Sequence, residues 1–318
     1  MTGTKVQIVT IDIEAAGQRI DNFLIKNLKG LPKSRIYRII RKGEVRINGK
    51  RCKAQTRLLS GDQVRIPPIA HLPERSSAIG SFHDLDSLIL YEDTHLLVVN
   101  KPAGMAVHGG SGVSVGVIES LRHVFPEGNR LELVHRLDRG TSGCLMVAKR
   151  RSYLKHLQDA LRQPGQIKKR YIAMVHGHWP DQLACINESL LTSSKTGRER
   201  ITRVSPDGKR AITEFQLVAR GDDVSLIRAS PLTGRTHQIR VHARWARHPL
   251  VGDSRYGDED RDRTISMGAR LMLHAAQLHI PALGDREALD IMAPIDSLFR
   301  SEMKKVVNIE EKYLFKTK

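Results

Sequence analysis

The chain has 318 residues, more than the usual size of one domain, so we expect two domains, each with its own hydrophobic core. It contains 52 Lys plus Arg against 34 Asp plus Glu, a net charge of +18 at pH 7, which indicates a polyanionic partner and favours nucleic acid. We expect a cytoplasmic protein without membrane association, because no apolar run approaches the ~18 residues of a spanning helix and residues 1–15 lack a signal-peptide pattern.

The first 70 residues are the most basic part of the chain, with 15 Lys plus Arg against 5 Asp plus Glu. Apolar residues at helical spacing predict two short amphipathic helices, one over residues 20–28 and one around residues 36–40. Arg35, Arg38 and Lys42 are predicted to share one face of the second helix, and we call these three residues the basic ridge. A solvated helix face is the alternative, but the clustering of charge favours contact with RNA.

A small sheet is predicted to follow the second helix, which Gly43 is expected to end. Residues 44–47 and 50–53 predict a hairpin around a type I′ turn at Asn48-Gly49, and residues 62–66 predict a further strand. Together with residues 19–21 (RID), 33–34 (KS) and 43–45 (GEV), this segment resembles the S4 RNA-binding domain. The resemblance implies that it grips the backbone and shape of RNA. We expect this domain over residues 1–67 and a linker over residues 68–87.

Residues 88–318 are predicted to form the second domain, with buried and alternating strand patterns from residue 88 onwards. The predicted strands are residues 88–91, 96–99, 131–134, 144–148, 171–175, 211–218, 224–229 and 271–274, and the predicted helices are residues 115–123, 152–161 and 236–247. Strands and helices do not alternate regularly. The pattern therefore favours an α+β fold with a mixed, largely antiparallel sheet.

The segment 134–143 (VHRLDRGTSG) is predicted to be a loop held between two strands. Asp138 lies between Arg136 and Arg139 in the sequence, and neighbouring cations favour the ionised carboxylate at neutral pH. The segment is either a polar surface turn with ion pairs or the position of a catalytic carboxylate.

Two further segments carry candidate site residues. In residues 233–242 (TGRTHQIRVH), Thr236 is predicted to cap a helix that buries Ile239, Ala243 and Ala246. Arg240 is then fixed on a rigid element, where it could contact phosphate or pair with Asp138. In residues 168–173 (KKRYIA), Tyr171 is expected at the start of a strand, where it could pack in the core or stack on a base.

Other kinds of site are less favoured by their context. Residues 112–116 match the G-x-S-x-G pattern of serine hydrolases, which remain a weak alternative, but no apolar strand precedes the serine. A metal site is not predicted, because His237 and His242 are five residues apart and fall on different helix faces. His176 is interpreted as an ordinary polar residue, and the acidic residues at 258–262 as a solvated loop.

Three segments in this order, residues 135–143 (HRLDRGTSG), 170–173 (RYIA) and 234–240 (GRTHQIR), resemble the motifs of RluA-type pseudouridine synthases. The resemblance runs from the S4-like segment to about residue 294. Residues 107–112 and 116–119 are most similar to members that act on large-subunit (23S) ribosomal RNA.

The resemblance implies that uridine in RNA is isomerised to pseudouridine without a cofactor or metal. By matching positions, Asp138 is the catalytic carboxylate, Arg240 pairs with it, and Tyr171 stacks on the uracil and could help to remove the C5 proton. Arg136 is expected to enter the RNA as the base flips out. A monomer bound to ribosomal RNA is expected, and a non-catalytic RNA-binding ribosome assembly factor is the alternative.

Overall fold

A computed structural model describes residues 6–28, 31, 33–68, 86–109, 115–126, 128–193, 201–265 and 270–306. The chain divides into two compact units, residues 1–80 with 150–152 and residues 81–149 with 153–318. The expected linker at 68–87 and the G-x-S-x-G residues 112–114 lie largely outside the described residues. The expected domain boundaries therefore stay a prediction.

The first unit packs two helices against a four-stranded antiparallel sheet of strand order β1-β4-β2-β3. Its elements are β1 (Gln7–Thr10), α1 (Ile20–Asn27), α2 (Lys33–Arg41), β2 (Arg46–Ile47), β3 (Lys50–Arg51) and β4 (Gln63–Ile66). Asn48 and Gly49 have φ of 50° and 76°, as the predicted type I′ turn requires. The helices bury Phe23, Leu24 and Ile36 against the sheet, so this small unit has its own core.

The second unit is built on a ten-stranded mixed sheet, which confirms the predicted α+β class. Its strands are β5 (Ile89–Glu92), β6 (Leu96–Lys101), β7 (Glu132–Leu133), β8 (Ser142–Ala148), β9 (Lys168–His176), β10 (Cys185–Ile186), β13 (Thr213–Arg220), β14 (Val224–Pro231), β15 (Leu273–Ile280) and β16 (Leu289–Met292), while β11 (Leu190–Ser193) and β12 (Ile201–Val204) form a separate pair. The main order is β10-β13-β14-β9-β15-β8-β6-β5. Only the β8 and β15 pair is parallel among the described strand pairs.

Helices cover both faces of this sheet. They are α3 (Val117–Val124), α4 (Arg151–Arg162), α5 (Gln238–Trp245), α6 (Glu259–Thr264) and α7 (Ser297–Val306). Alternation along β8 places Leu145 in one core with α3 and α5, and Met146 in another core with α4. Because both faces are covered, β8 is buried along its whole length.

The sheet register places three chain segments at one end of neighbouring strands. Ala275 of β15 pairs with Gly143 at the start of β8 on one side and with Tyr171 of β9 on the other. Tyr171 pairs in turn with Ala229 near the end of β14, after which the chain continues to α5. Residues 134–143, Tyr171 and the start of α5 therefore meet at this edge.

Candidate active site

A cavity of about 900 Å³ lies where these three segments meet. Its walls come from the loop before β8, from β9 and from the segment between β14 and α5. Asp138 is the single carboxylate among the described lining residues, which include the cations Arg136, Arg162, Lys169, Arg235, Arg240 and Arg255. A polyanion entering this cavity would thus meet mostly positive charge around one carboxylate.

Arg240 joins the cavity carboxylate to a second, buried one. Its Nη1 donates to Asp138 Oδ2 at 2.9 Å, while Nε and Nη2 donate to both oxygens of Asp253 at 2.8 and 2.7 Å. Burial would raise the pKa of Asp253, but the hydrogen bonds and charge of Arg240 hold that pKa below its usual range. Although burial opposes it, Asp253 and Asp138 together raise the pKa of Arg240, which stays charged.

The sequence neighbours of Asp138 do not pair with it. Arg139 donates its Nε to the Gly104 carbonyl at 2.8 Å, and Arg136 is exposed at the cavity. The cation that contacts Asp138 comes instead from Arg240, 102 residues further along the chain. The flanking arginines were expected to act on Asp138, but the sheet places a distant arginine beside it instead.

Tyr171 lines the same cavity and is 8% exposed. Strand β9 begins at Lys168, three residues before the predicted start, so Tyr171 lies within the sheet. Burial, and after it the charge of Asp138, raises the pKa of the Tyr171 phenol above its usual range. The phenol is therefore neutral at physiological pH.

The start of α5 differs from the predicted helix. The residue preceding the helix is His237, in a left-handed conformation with φ of 55°, and the predicted cap Thr236 lies one residue earlier. The Gln238 side chain organises the turn instead, because its Oε1 accepts from the Arg235 amide and the Thr233 hydroxyl. Ile239 and Ala243 are buried as predicted, but Arg240 is buried as well.

Lys101 is a site neighbour that the sequence analysis missed. Its side chain is fully buried, and its ammonium donates to the carbonyls of Pro102 and Met105 at 2.8 Å and of Arg139 at 3.2 Å. It ties the end of β6 to the backbone directly after Asp138. Burial first, and then the charge of Arg270, lowers the pKa of Lys101 to about 7. A lysine before a proline carries no local signal of such a role.

The basic ridge of the first unit faces solvent. Arg38 and Lys42 are exposed and Arg35 is half-buried. Helix α2 ends at Arg41, so Lys42 follows the helix instead of lying on it. Within the described residues, the side chains of all three make no hydrogen bond or ion pair and are available to a partner.

Two further sequence interpretations were wrong. Asp258 caps α6 by accepting from the Arg261 amide, so the acidic residues belong to a short helix and not to a loop. His176 is fully buried, and its Nε2 lies 2.9 Å from Asp262 Oδ1. The contact between His176 and Asp262 links strand β9 to α6. No group of three or more potential metal ligands occurs among the residues described.

A membrane-crossing segment is likewise not found. Across the described ranges, no helix has both the length and the apolar character to cross a bilayer.

Comparison with known proteins shows the family of this chain. Residues 95–245 match the family model described as RNA pseudouridylate synthase, and residues 18–64 match the S4 domain. The chain is 50% identical over 312 residues to ribosomal large subunit pseudouridine synthase C of Escherichia coli (strain K12), covering 95% of this chain and 97% of that protein. This chain belongs to the pseudouridine synthase family.

Members of the family from other sources are similar over nearly the same length. Ribosomal large subunit pseudouridine synthase C of Vibrio vulnificus (strain CMCP6) is 50% identical, covering 92% of this chain and 94% of that protein. Among solved structures, human RNA pseudouridylate synthase domain containing 4 aligns with a TM-score of 0.57 and 25% identity, over 70% of this chain and 94% of that one. The resemblance stated from the motifs is therefore confirmed, and the fold belongs to pseudouridine synthases.

Proposed function

We propose that this pseudouridine synthase isomerises uridine to pseudouridine in large-subunit (23S) ribosomal RNA, with Asp138 as the catalytic carboxylate. The observation that carries the proposal is the 2.9 Å pair between Asp138 and Arg240 in a cationic cavity. Similar proteins that share half of their residues with this chain are named for the same reaction on the large ribosomal subunit. The cavity of about 900 Å³ is large enough for a nucleotide.

The reaction is balanced within the substrate. The bond from ribose C1′ to N1 breaks, a bond from C1′ to C5 forms, the C5 proton leaves, and N1 takes up a proton. The reaction is redox-neutral and gains or loses no atoms overall, so it needs no redox cofactor or co-substrate. Breaking the glycosidic bond develops positive charge on the sugar, and an ionised carboxylate beside it stabilises that charge or attacks as a nucleophile. Arg240 supports this role because its hydrogen bond to Oδ2 holds the Asp138 carboxylate in place.

The positions of Tyr171, Arg136 and the basic ridge suit three different contacts with RNA. Tyr171, buried and neutral in the cavity wall, would stack on the flipped uracil, and exposed Arg136 would enter the space that the base leaves. The basic ridge of Arg35, Arg38 and Lys42 would bind RNA phosphates, as its free side chains and the S4 match support. We place the enzyme in the cytoplasm as a monomer with ribosomal RNA as its partner.

The test is a map of pseudouridines in ribosomal RNA treated with wild-type protein or with Asp138→Asn. We expect the wild type to introduce pseudouridine, and the variant to form none while its RNA affinity stays within several-fold. Asp181→Asn, which changes an exposed carboxylate whose ion-pair partner Arg220 also lies outside the cavity lining, is the matched control and should stay active. Product from Asp138→Asn at the wild-type rate, with reversion to Asp excluded by mass spectrometry, would refute the assignment.

A non-catalytic RNA-binding assembly factor predicts a different result. In that case wild type and Asp138→Asn would bind ribosomal RNA equally, and neither would form pseudouridine.

A further inference from the structure

His237 occupies an unusual position at the edge of the cavity. It is the residue before α5, and its backbone φ of 55° lies in the region that residues other than glycine rarely adopt. Such conformations concentrate at functional sites, where the surrounding structure holds them in place. The conformation directs the ring into the cavity, where its Nε2 lies 3.7 Å from Asp138 Oδ1.

Hydrogen bonds around Tyr256 bear on which ring nitrogen of His237 carries the proton. The backbone N–H of Thr202 donates to the Tyr256 hydroxyl at 3.0 Å, and the same hydroxyl lies 2.7 Å from His237 Nδ1. The Tyr256 oxygen accepts from Thr202, and its hydroxyl proton can lie towards His237 Nδ1. In that arrangement the His237 proton resides on Nε2, the nitrogen that faces Asp138.

Tyr256 is itself held firmly enough to fix this arrangement. Its ring is 5% exposed, its backbone N–H donates to Asp253 Oδ1 at 3.0 Å, and the Arg240 guanidinium lies 5.0 Å above its ring. Burial holds the pKa of His237 below its usual range, against the attraction of Asp138, so the ring is a neutral donor at pH 7. Tyr256 thus contacts both His237 and Arg240.

The two oxygens of Asp138 are unequally held. Arg240 donates to Oδ2 at 2.9 Å, whereas His237 Nε2 at 3.7 Å is too far from Oδ1 for a hydrogen bond. Hydrogen bonds of active sites are often long without substrate and shorten in the complex. A carboxylate oxygen has two lone pairs, so Oδ1 could accept from His237 and still face the substrate with the other.

We propose that His237 is a positioning residue for Asp138, which donates from Nε2 to Oδ1 in the RNA complex while Tyr256 fixes its tautomer. The inference rests on the proposed function, because it assigns a partner to the carboxylate proposed to be catalytic. Together, Arg240 and His237 would hold both oxygens and so fix the plane of the carboxylate. Neither residue needs to touch the uridine for this effect.

Single-turnover rates at saturating RNA distinguish the loss of the His237 hydrogen-bond donor from a change in the backbone conformation of this residue. Asn tolerates the left-handed conformation but is too short to reach Oδ1, so His237→Asn should slow the reaction by on the order of 10- to 100-fold, as expected for the removal of one hydrogen bond to a charged group. The amide nitrogen of Gln reaches about as far as Nε2, so His237→Gln should recover most of the rate. RNA affinity should be unchanged in both.

The matched control is His242→Gln, on the helix that follows His237. His242 is fully buried and bonded to the Thr213 hydroxyl and the Glu188 carbonyl, but it does not line the cavity. Its replacement should lower stability and leave the rate at saturation unaltered. A wild-type rate for a folded His237→Asn variant would overturn the proposal, whereas an inactive wild type would overturn the proposed function itself.

A spectroscopic measurement does not depend on how well the His237 variants fold. Long-range 1H–15N correlation of the full chain should show the neutral Nε2–H tautomer at pH 7. The His237 signal is identified through its displacement in Asp138→Asn. Tyr256→Phe keeps the ring beneath Arg240 but removes the hydroxyl, so it should give a mixture of tautomers and a slower reaction. An Nδ1–H or doubly protonated His237 in the wild type would overturn the proposal.

Discussion

Arg240 is the residue on which both the site and its local stability depend. One guanidinium binds the half-exposed Asp138 through Nη1 and the fully buried Asp253 through Nε and Nη2. Asp253 also accepts from the amides of Arg255 and Tyr256. The planar fork of arginine is required for this geometry, because a lysine offers only a point charge.

Arg240→Lys should therefore reduce both activity and stability. The ammonium cannot serve both carboxylates with the same three hydrogen bonds, so we expect a much slower single turnover at saturating RNA. We also expect a decrease of about 1.5–3 kcal/mol in the free energy of unfolding, the cost of one hydrogen bond to a charged group. Denaturant titration and single-turnover kinetics measure the two effects.

Arg136→Ala is the contrasting variant. Arg136 is exposed in the cavity and pairs with no described carboxylate, so its replacement should weaken binding of structured RNA and leave stability unchanged. Full turnover by Arg240→Lys, or equal destabilisation by both variants, would contradict the distinct roles assigned to the two arginines.

At the scale of elements, the position of the Asp138 loop depends on how β8 begins. Gly143 has φ of +107°, and a Cβ there would lie 2.2 Å from the Ala275 carbonyl oxygen of the parallel strand β15. A β-carbon therefore cannot be accommodated without separating β8 from β15. Because β15 pairs with both β8 and β9, it also sets the spacing between the Asp138 loop and Tyr171.

Gly143→Ala should lower the free energy of unfolding by at least about 2 kcal/mol, from backbone strain and the clash with β15. It should also slow turnover, because the loop that carries Asp138 is displaced. Thermal unfolding and activity are the measurements. Gly140→Ala is the control: Gly140 has no positive φ, and its Cβ would meet the Leu271 side chain at 3.1 Å, which can move. Equal effects at the two glycines would exclude this explanation.

At the scale of the whole molecule, positive charge is concentrated in the first 70 residues, which contain 15 of the 52 basic side chains against only 5 acidic ones. Electrostatic binding to RNA releases counterions, so each phosphate contact adds to the salt dependence of affinity. The exposed basic ridge should contribute to affinity and placement on RNA and not to the chemical step.

Replacing Arg35, Arg38 and Lys42 together with Gln should reduce the slope of log affinity against log salt by roughly 0.7–0.9 for each phosphate that the variant no longer binds. The rate at saturating RNA should be retained. The control replaces Lys155, Arg203 and Lys304, three exposed cations of the second unit, and so makes the same change in net charge. If both triple variants shifted the slope equally, the ridge would be an ordinary solvated surface.

The second unit also contains histidines whose pKa values lie below the usual range of histidine. Burial lowers the pKa of His135 to about 3 and lowers the pKa of His176 and His242 as well. Below about pH 6.5 the unfolded chain takes up protons at these residues and the folded chain does not. Their contribution to stability is therefore present at neutral pH and is lost as the pH falls. For His135 this loss extends from about pH 6.5 to about pH 3.

Unfolding of the second unit should become easier between pH 7.5 and 5, with a slope of up to about 1.4 kcal/mol per pH unit for each such histidine. Both tryptophans of the chain, Trp179 and Trp245, lie in this unit, so their fluorescence during denaturant titration reports its unfolding. His242→Gln should reduce the slope. A stability that stays constant or increases towards pH 5 would show that these histidines are protonated in the fold.

Local patterns in the sequence were sufficient for the elements and the family. Helical and alternating periodicities located most helices and strands within a few residues, and Asn48-Gly49 alone specified the hairpin turn. Three short motifs in order indicated a pseudouridine synthase, which the comparisons confirm. These features depend on residues close to one another in the chain, so they can be read without tertiary contacts.

The contacts of the site depended on tertiary structure. Asp138 pairs with Arg240 instead of its sequence neighbours Arg136 and Arg139. Asp253 binds the Arg240 guanidinium, and Lys101 binds the backbone next to Asp138. His237 turns towards the carboxylate. The resemblance implied the Arg240 pair, but no local pattern marked the other partners. They meet because β15, from late in the chain, lies between β8 and β9. Sheet order is determined by packing over the whole unit, and periodicity within a segment does not encode it.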